Sequence, residues 1–531
     1  MDTQVIIVGA GPVGLTLAID LGRRGVRCIL LEQKAAPQFL PKMERCNART
    51  MEIYRRMGLA EKIRAAGFPS DVPMDVFIVT SLVEPPLLRL EYPSVAQARE
   101  QIAATNDGTQ PLEPYQLISQ YTLEPLLKSV ADAMPNIDVR YGCEFMSAEQ
   151  DADGVRARVK RGSIIETISA DYLVGCDGGS SLVRRQLGIR LQGDANLMQF
   201  RQALFKCDDL FDRIPIGKGR HYHVADDRAT FLIVQDSTKH FTLHAVVDTD
   251  ADMATQFEKT VAMPVRYEML SVGQWRQNLL LADKYRDGRI FLAGDSVHLV
   301  IPTGGLGMNS GVGDAYDLSW KLAATLQGWG GPKLLDSYEI ERRQIGGRNV
   351  EASRQASRGR RAWRAMYRPN IRDNTPEGAA TRAELTRIAD VEQRKSNEMI
   401  GAELGYRYVG SPVIADEGEG PPHEFMTYVP TSWPGVRLPH VWLDDGTALH
   451  DKIGDGYTLL RFGGSAANSA PLARAFAGYG VRFAALDIAD ARPREVYGCD
   501  LLLVRPDLHV VWRGNSLPGE AQKLAALATG H

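Results

Sequence analysis

The chain has 531 residues, 44% hydrophobic and 24% charged, the balance of a globular protein large enough for two or three domains. Its 62 basic and 65 acidic residues leave a net charge of -3, so no overall field draws nucleic acid or an anionic membrane, and neither is an expected partner. The six cysteines, Cys28, Cys46, Cys143, Cys176, Cys207 and Cys499, stand singly, with no CxxC and no His cluster at ligand spacing, so no metal site is expected and the thiols read as reduced. Met1 leads straight into Val5-Ile6-Ile7-Val8, without the regions of a signal peptide, and no apolar run reaches 18 residues; a cytoplasmic enzyme is the expectation.

In chain order, Val5 to Val8 reads as a β-branched strand and Gly9-Ala10-Gly11-Pro12-Val13-Gly14 as a tight turn. Leu15 to Arg24 has helical apolar spacing and is stopped by Gly25. Val26 to Leu31 is a second buried strand, closing a right-handed βαβ unit of a parallel sheet. A helix is expected from about Leu40 to Gly58, and a loop-bearing excursion over Glu84 to Pro114. A small antiparallel sheet is expected over Ile137 to Ala170, followed by a buried strand at Leu173-Val174-Gly175. Alternating segments between Leu191 and Gln277, such as Phe231-Leu232-Ile233-Val234, predict a sheet-dominated domain. Arg289 to Ala293 returns to the parallel-sheet pattern, with a long helix over Gly313 to Leu326. Leu334 to about Gly405 is helical and charged, Tyr408 to Pro439 is a Pro-rich connector, and Tyr457 to Trp512 is a compact α/β unit.

The turn Gly9-x-Gly11-x-x-Gly14, with Pro12 and Val13 inside it, supplies a sharp bend, close backbone approach to a pyrophosphate and tight helix packing, while the helix N-terminus offers free N–H groups to the phosphates. Glu32, 18 residues beyond Gly14 and followed by Gln33, ends the second strand where a carboxylate can accept from both hydroxyls of an adenosine ribose. A dinucleotide is therefore expected; the turn does not say which.

Two distant segments do. Val174-Gly175-Cys176-Asp177-Gly178-Gly179 and Gly294-Asp295-Ser296-Val297-His298, continuing through Pro302-Thr303-Gly304-Gly305-Leu306-Gly307-Met308-Asn309, follow the first turn in order. With these three motifs the first 350 or so residues resemble the group A flavoprotein aromatic hydroxylases, the family of para-hydroxybenzoate, phenol and 3-(3-hydroxyphenyl)propionate hydroxylases. The resemblance implies FAD as cofactor, with Asp177 and Gly178 in contact with it and Asp295, after Gly294, on a ribityl hydroxyl. It places Pro302, Gly305, Gly307, Met308 and Asn309 against the isoalloxazine ring, where a helix N-terminus favours negative charge. Gln120 matches a glutamine on the ribityl chain. Where the family often has Arg the chain has Lys42, which leaves either Lys42 or Arg45 to reach the cofactor.

The reaction so implied is hydroxylation of a phenolic ring, with NADPH or NADH reducing FAD and O2 adding at flavin C(4a) to give the hydroperoxide that attacks the substrate. No second GxGxxG occurs, so the nicotinamide nucleotide is expected to bind transiently in a groove. Tyr222, His223, Gln235, Tyr267, Trp275, Arg276 and Pro302 are the candidate substrate contacts; His298 reads as structural and no catalytic base is assigned. The implied fold class is α/β. A Rossmann-like FAD-binding domain with a parallel sheet (1–185, returning over 281–405) is interrupted by a β-sheet substrate domain (186–280) and followed by a linker and thioredoxin-like domain (406–531). That last domain lacks CxxC, so an interface role is expected for it, and a homodimer is left open. A Baeyer–Villiger oxygenase and a non-catalytic flavin-binding regulator stay as alternatives.

Overall fold

Val5–Val8 is apolar at every position because it has a hydrogen-bonded neighbour on each side and a layer over each face. In the computed structural model, which describes residues 1–465 and 467–531, it lies inside a six-stranded sheet. The strand order is Arg286–Asp287, Ile290–Leu292, Tyr172–Gly175, Val5–Val8, Cys28–Glu32, Ile137–Tyr141. All the pairings are parallel except that of Arg286–Asp287. The helices Pro12–Arg23 and Gly307–Leu326 pack on each other, and the buried Asp20 carboxylate accepts from Ser319 Oγ at 2.5 Å.

Several local expectations are corrected. Ile137–Tyr141 is not in the antiparallel sheet: its register with Cys28–Glu32 makes it the edge of the parallel one, and the antiparallel meander begins at Cys143–Gln150. The region after Leu40 is not helical throughout. Arg45–Cys46 pairs as a short strand with Gln116–Leu117, and the helix Ala48–Arg56 starts where Asn47 Oδ1 accepts from Thr50 N at 2.9 Å. The Glu84 to Pro114 excursion holds a strand, Leu88–Leu90, and a helix, Val95–Ala104, begun by a reciprocal Ser94/Gln97 capping box. The long helix starts at Gly307 rather than Gly313. Its glycine-rich first turns read as loop, but a Cβ on Gly311 would lie 2.5 Å from Val13 Cγ2, so packing against the first motif dictates glycine there.

A seven-stranded sheet forms the second layer, in the order Glu268–Arg276, Gln199–Lys206, His240–Ala245, Phe231–Val234, His221–Val224, Val76–Val79, Leu88–Leu90. Its last two strands come from before residue 185 in the chain, so the sheet is stitched to the dinucleotide unit by sequence as well as by packing. The 33-residue helix Pro332–Arg364, roughly 50 Å long, reaches from the first sheet, where Tyr338 donates to Leu292 O at 2.7 Å, to the second, where Arg364 donates to Val224 O at 3.2 Å.

The C-terminal unit is a four-stranded sheet, Phe483–Ile488, Tyr457–Phe462, Leu501–Val504, Val510–Gly514, with an apolar core on each face. Alternation along the strands decides which core a residue enters: Tyr457, Leu459, Leu501 and Leu503 fill one, Leu460, Phe462, Leu502 and Val504 the other. This unit is docked by buried charge. Arg505 donates to both Glu341 oxygens at 2.8 Å, to Asp317 at 3.0 Å and to Asp507 at 2.8 Å, while Lys321 reaches Asp317 at 2.8 Å and Glu341 at 2.6 Å. Arg437 pairs with Glu52 at 2.6 Å, and Arg56 donates to the carbonyls of His450, Ile453, Gly454 and Pro506.

Burial also sets an acid limit on stability. It pushes His244 down to about 3 and His440 and His509 to about 4, so all three are neutral in the fold. Unfolded, each would titrate near the ordinary value of about 6.5. The unfolded chain therefore takes up protons that the folded one refuses. Stability is full above about pH 6.5 and falls as pH drops towards 4, each ring removing up to about 1.4 kcal/mol per pH unit. Chemical unfolding followed at pH 7, 6 and 5 checks this; a midpoint that does not move between pH 7 and 5 contradicts it.

Candidate active site

One cavity of about 1000 Å³, the upper end of the usual ligand-site range, runs from the first glycine turn to the seven-stranded sheet. Gly9, Gly11, Pro12, Val13, Glu32 and Gln33 line its first part. Lys42, Arg45, Gln120, Asp177, Gly178 and Asp295 follow, then Pro302, Gly305, Gly307, Met308 and Asn309. Gly14 and Gly294 do not line it, and their role is packing. A Cβ on Gly14 would sit 1.9 Å from the Gly9 carbonyl oxygen, and Gly294, at φ +68°, abuts Val13.

The polar groups here are arranged around open space. A Cβ on Gly11 would meet nothing within 4 Å. Glu32 accepts from Ala10 N and Lys34 N, both at 3.0 Å, which fixes its carboxylate at the strand end. Asp177 Oδ2 accepts from Leu182 N at 2.7 Å and Val183 N at 3.1 Å, but its Oδ1 is buried without a partner. The Asp295 carboxylate opens on the cavity, and burial holds it above the ordinary carboxylate range. Its turn is anchored from behind by Asp314, which accepts from Gly294 N at 3.0 Å, His298 Nε2 at 2.8 Å and Arg342 Nε at 2.8 Å. Burial alone would lower His298, but the Asp314 charge and hydrogen bond hold it above its usual value, so it is a fully buried brace.

The loop before the long helix is clamped as well. Gly304 and Gly305 adopt φ +94° and +66°; Arg45 Nη2 donates to Gly304 O at 2.5 Å and Asn309 Nδ2 to Gly305 O at 2.6 Å. Arg45 therefore supports the loop from beneath, whereas the Lys42 side chain is exposed to the cavity. Two helix N-termini, at Pro12 and Gly307, open on the same space. An extended, anionic dinucleotide fits this set: an open glycine cradle, a fixed carboxylate for a ribose, an unpartnered aspartate oxygen and helix ends of positive sign.

Beyond the loop the cavity floor is aromatic. Phe200 stacks on Trp275 at 4.9 Å and Phe231 on His244 at 4.4 Å, and Trp275 Nε1 donates to His244 Nδ1 at 3.1 Å. Gln235, held by Thr242 at 2.9 Å, also lines it. Of the substrate candidates, Gln235, Trp275 and Pro302 face the cavity. Tyr222, His223, Tyr267 and Arg276 do not. Tyr222 points to the opposite face of its strand, stacked on Phe77 and donating to Gly217 O at 2.8 Å. His223 is packed against Trp363 and Gln393, Tyr267 donates to Glu258, and Arg276 lies outside at Asn196.

His221, two places from His223 and on the same strand face, reaches the cavity and contacts Glu44 through Nε2 at 2.6 Å. Burial pushes His221 down against the pull of Glu44, while Glu44 is held low, against its own burial, first by the charge and hydrogen bond of His221 and then by Arg220 and Arg45, so its carboxylate stays ionised. Glu44 is thus a fixed carboxylate at the cavity wall, able to accept from a ligand hydroxyl. From the other side come Ser357, Arg360, Arg361 and Arg364, one face of the last turns of the long helix. Burial lowers Arg360 to about 9 and Arg364 to about 10, both still cationic at neutral pH. Neither Glu44 nor Arg360 is signalled by any motif: each is one charge among many in a charged stretch.

Residues 2–353 match the family model described as FAD binding domain, and residues 431–530 the one described as aromatic-ring hydroxylase, C-terminal. The chain is 34% identical to the FAD-dependent monooxygenase apdD of Emericella nidulans, over 99% of this chain and 90% of the relative. Among solved structures it is similar to chromopyrrolic acid-soaked RebC with bound 7-carboxy-K252c, with a TM-score of 0.90 at 33% identity over 99% of each chain. It is also similar to the ternary complex of aklavinone-11 hydroxylase with FAD and aklavinone, with a TM-score of 0.84 at 27% identity, over 100% of this chain and 99% of that one.

Proposed function

Because the chain belongs to the FAD-dependent aromatic-ring hydroxylases, we propose that it inserts one oxygen atom from O2 into a polycyclic phenolic ring, taking its electrons from NADPH or NADH. It is an FAD-dependent monooxygenase with an aromatic substrate. The finer reading, a flat substrate of several fused rings, is supported by one observation. A single cavity joins the dinucleotide cradle to a floor walled by two aromatic pairs, the Phe200/Trp275 and Phe231/His244 stacks, flat surfaces that suit a flat polycyclic ring.

FAD, when bound, supplies the electron-transfer and oxygen-activating chemistry. Gly11 and the Pro12 helix end would hold its pyrophosphate, Glu32 its adenosine ribose, and Asp295 with Gln120 its ribityl chain. The Pro302 to Asn309 loop would lie along the ring system. The chain's own task is to hold the phenol flat, keep water out with its aromatic walls, and take hydrogen-bond density from the hydroxyl. Glu44, steadied by His221, accepts from that hydroxyl and so makes the ring more electron-rich. Glu44→Gln keeps the shape and loses the negative charge. It is expected to slow hydroxylation roughly tenfold, the worth of one hydrogen bond to an ionised group, with flavin content unchanged.

Rapid-mixing measurement of flavin reduction by NADPH and by NADH, with product analysis against monocyclic and polycyclic phenols, tests the reading. Reduction accelerated by polycyclic phenols, with one oxygen atom from O2 recovered in the product, supports it. Peroxide as the sole product with every ring tried argues against it.

A further inference from the structure

Among the described residues, no hydrogen bond or salt bridge pairs Arg360 with a counter-charge. Its Nε is buried with no hydrogen-bond partner, and its guanidinium lies 5.3 Å from the centre of the Phe231 ring, inside the cavity. Its neighbours do not relieve it. The ionised Glu44 contributes a favourable field, but no hydrogen bond or salt bridge joins it to Arg360, and its own partner is His221 at 2.6 Å. Arg364 and Arg220 add positive charge, while His244, pushed down to about 3 by burial, is a neutral ring. Arg364, one turn further along the helix, shares an unpartnered Nε but is paired through its other two nitrogens: it donates to the carbonyls of Val224 at 3.2 Å and Thr230 at 3.0 Å and lies 3.9 Å from Asp226. Within the described residues Arg360 has no such carbonyl or carboxylate.

Burying an uncompensated guanidinium costs stability, and a fold that keeps one facing a ligand cavity has left its counter-ion to the ligand. A guanidinium fork matches a planar carboxylate in two parallel hydrogen bonds, better than it matches a neutral carbonyl or hydroxyl. The position suits this: Arg360 stands over the Phe231 face of the aromatic floor, so a flat ring on that floor would present an edge substituent to it.

We propose that Arg360 is the specificity residue of the substrate half, and that the substrate is an aromatic acid whose carboxylate pairs with its guanidinium while the ring lies on the Phe231 and Trp275 walls. The assignment rests on the hydroxylase reading above and narrows its substrate class. A second anion could claim the same cation, the phosphates of the nicotinamide nucleotide, and the test separates the two.

The holoenzyme and its Arg360→Met and Arg360→Lys variants are titrated with 6-hydroxy-2-naphthoic acid, its methyl ester and 2-naphthol. The same is done with anthraquinone-2-carboxylic acid and its methyl ester. Binding is read from the flavin absorbance change, and the KM for NADPH is measured alongside; melting and flavin content confirm that each variant is folded. The wild type is expected to bind the acids roughly 10- to 100-fold more tightly than the esters. Arg360→Met is expected to abolish that preference while leaving ester binding unchanged, and Arg360→Lys to retain part of it. Equal binding of acid and ester by the wild type, or an acid preference that survives Arg360→Met, overturns the assignment but leaves the hydroxylase reading intact, since neutral rings still bind. A raised KM for NADPH with an unchanged acid-to-ester ratio gives Arg360 to the nucleotide instead and also overturns it. If no ring binds, acid or neutral, the aromatic-substrate reading fails and takes this one with it.

Discussion

Replacing Gly11 with leucine is expected to give a folded protein that cannot hold FAD. Gly11 has φ -71° and ψ 179°, a conformation open to any residue, and a Cβ there would touch nothing within 4 Å. The substitution therefore neither strains the backbone nor crowds the core. Its side chain instead enters the cavity at the N-terminus of Pro12–Arg23, where the pyrophosphate must come against the backbone. Affinity for FAD should fall by at least about 100-fold, because both the helix-end contacts and the space are lost. Purification should yield colourless protein with wild-type circular dichroism and melting close to that of the wild-type apoprotein. Gly14→Ala is the contrast: its Cβ would collide with the Gly9 carbonyl oxygen at 1.9 Å, so it should fail to accumulate as folded protein at all. A Gly11→Leu protein that purifies yellow, with one flavin per chain, would remove the first turn from the cofactor site.

Arg505→Met is expected to be the most damaging substitution far from the cavity. Arg505 is completely buried, and removing it leaves Glu341, Asp317 and Asp507 facing one another with Lys321 as the main remaining positive charge. Breaking a buried pair from one side typically costs about 3–5 kcal/mol, mostly the penalty of the charges left behind. Asp317 already shows the stress: burial raises it to about 7 even with both cations present. The loss should appear as a lower urea midpoint with the C-terminal unit released first, seen by proteolysis in the segment after Gly405. A midpoint within 1 kcal/mol of wild type would show that the network is not what docks that unit. The same helices link Arg342 to Asp314 and so to Gly294 and His298, so the C-terminal unit is docked on the two helices that anchor the turn carrying Asp295.

What the sequence determined by itself is local and periodic. The βαβ unit was legible because glycine spacing, a β-branched strand and Glu32 are fixed by short-range geometry, and the three glycine motifs because backbone approach tolerates few other residues. The two faces of the C-terminal sheet follow from simple alternation in Tyr457 to Phe462. Tertiary structure alone decided which strand face meets the cavity. His221 and Tyr222 are adjacent and both are polar rings, yet pairing with Val76–Val79 turns one towards Glu44 and the other onto Phe77. Nor could sequence separate Arg360 from the arginines around it, since only the packing of the long helix against Phe231 makes one cation solitary and its neighbour paired. Burial and long-range pairing are properties of the folded chain, and they turn ordinary residue types into a site; composition and spacing reach only as far as a few turns of backbone.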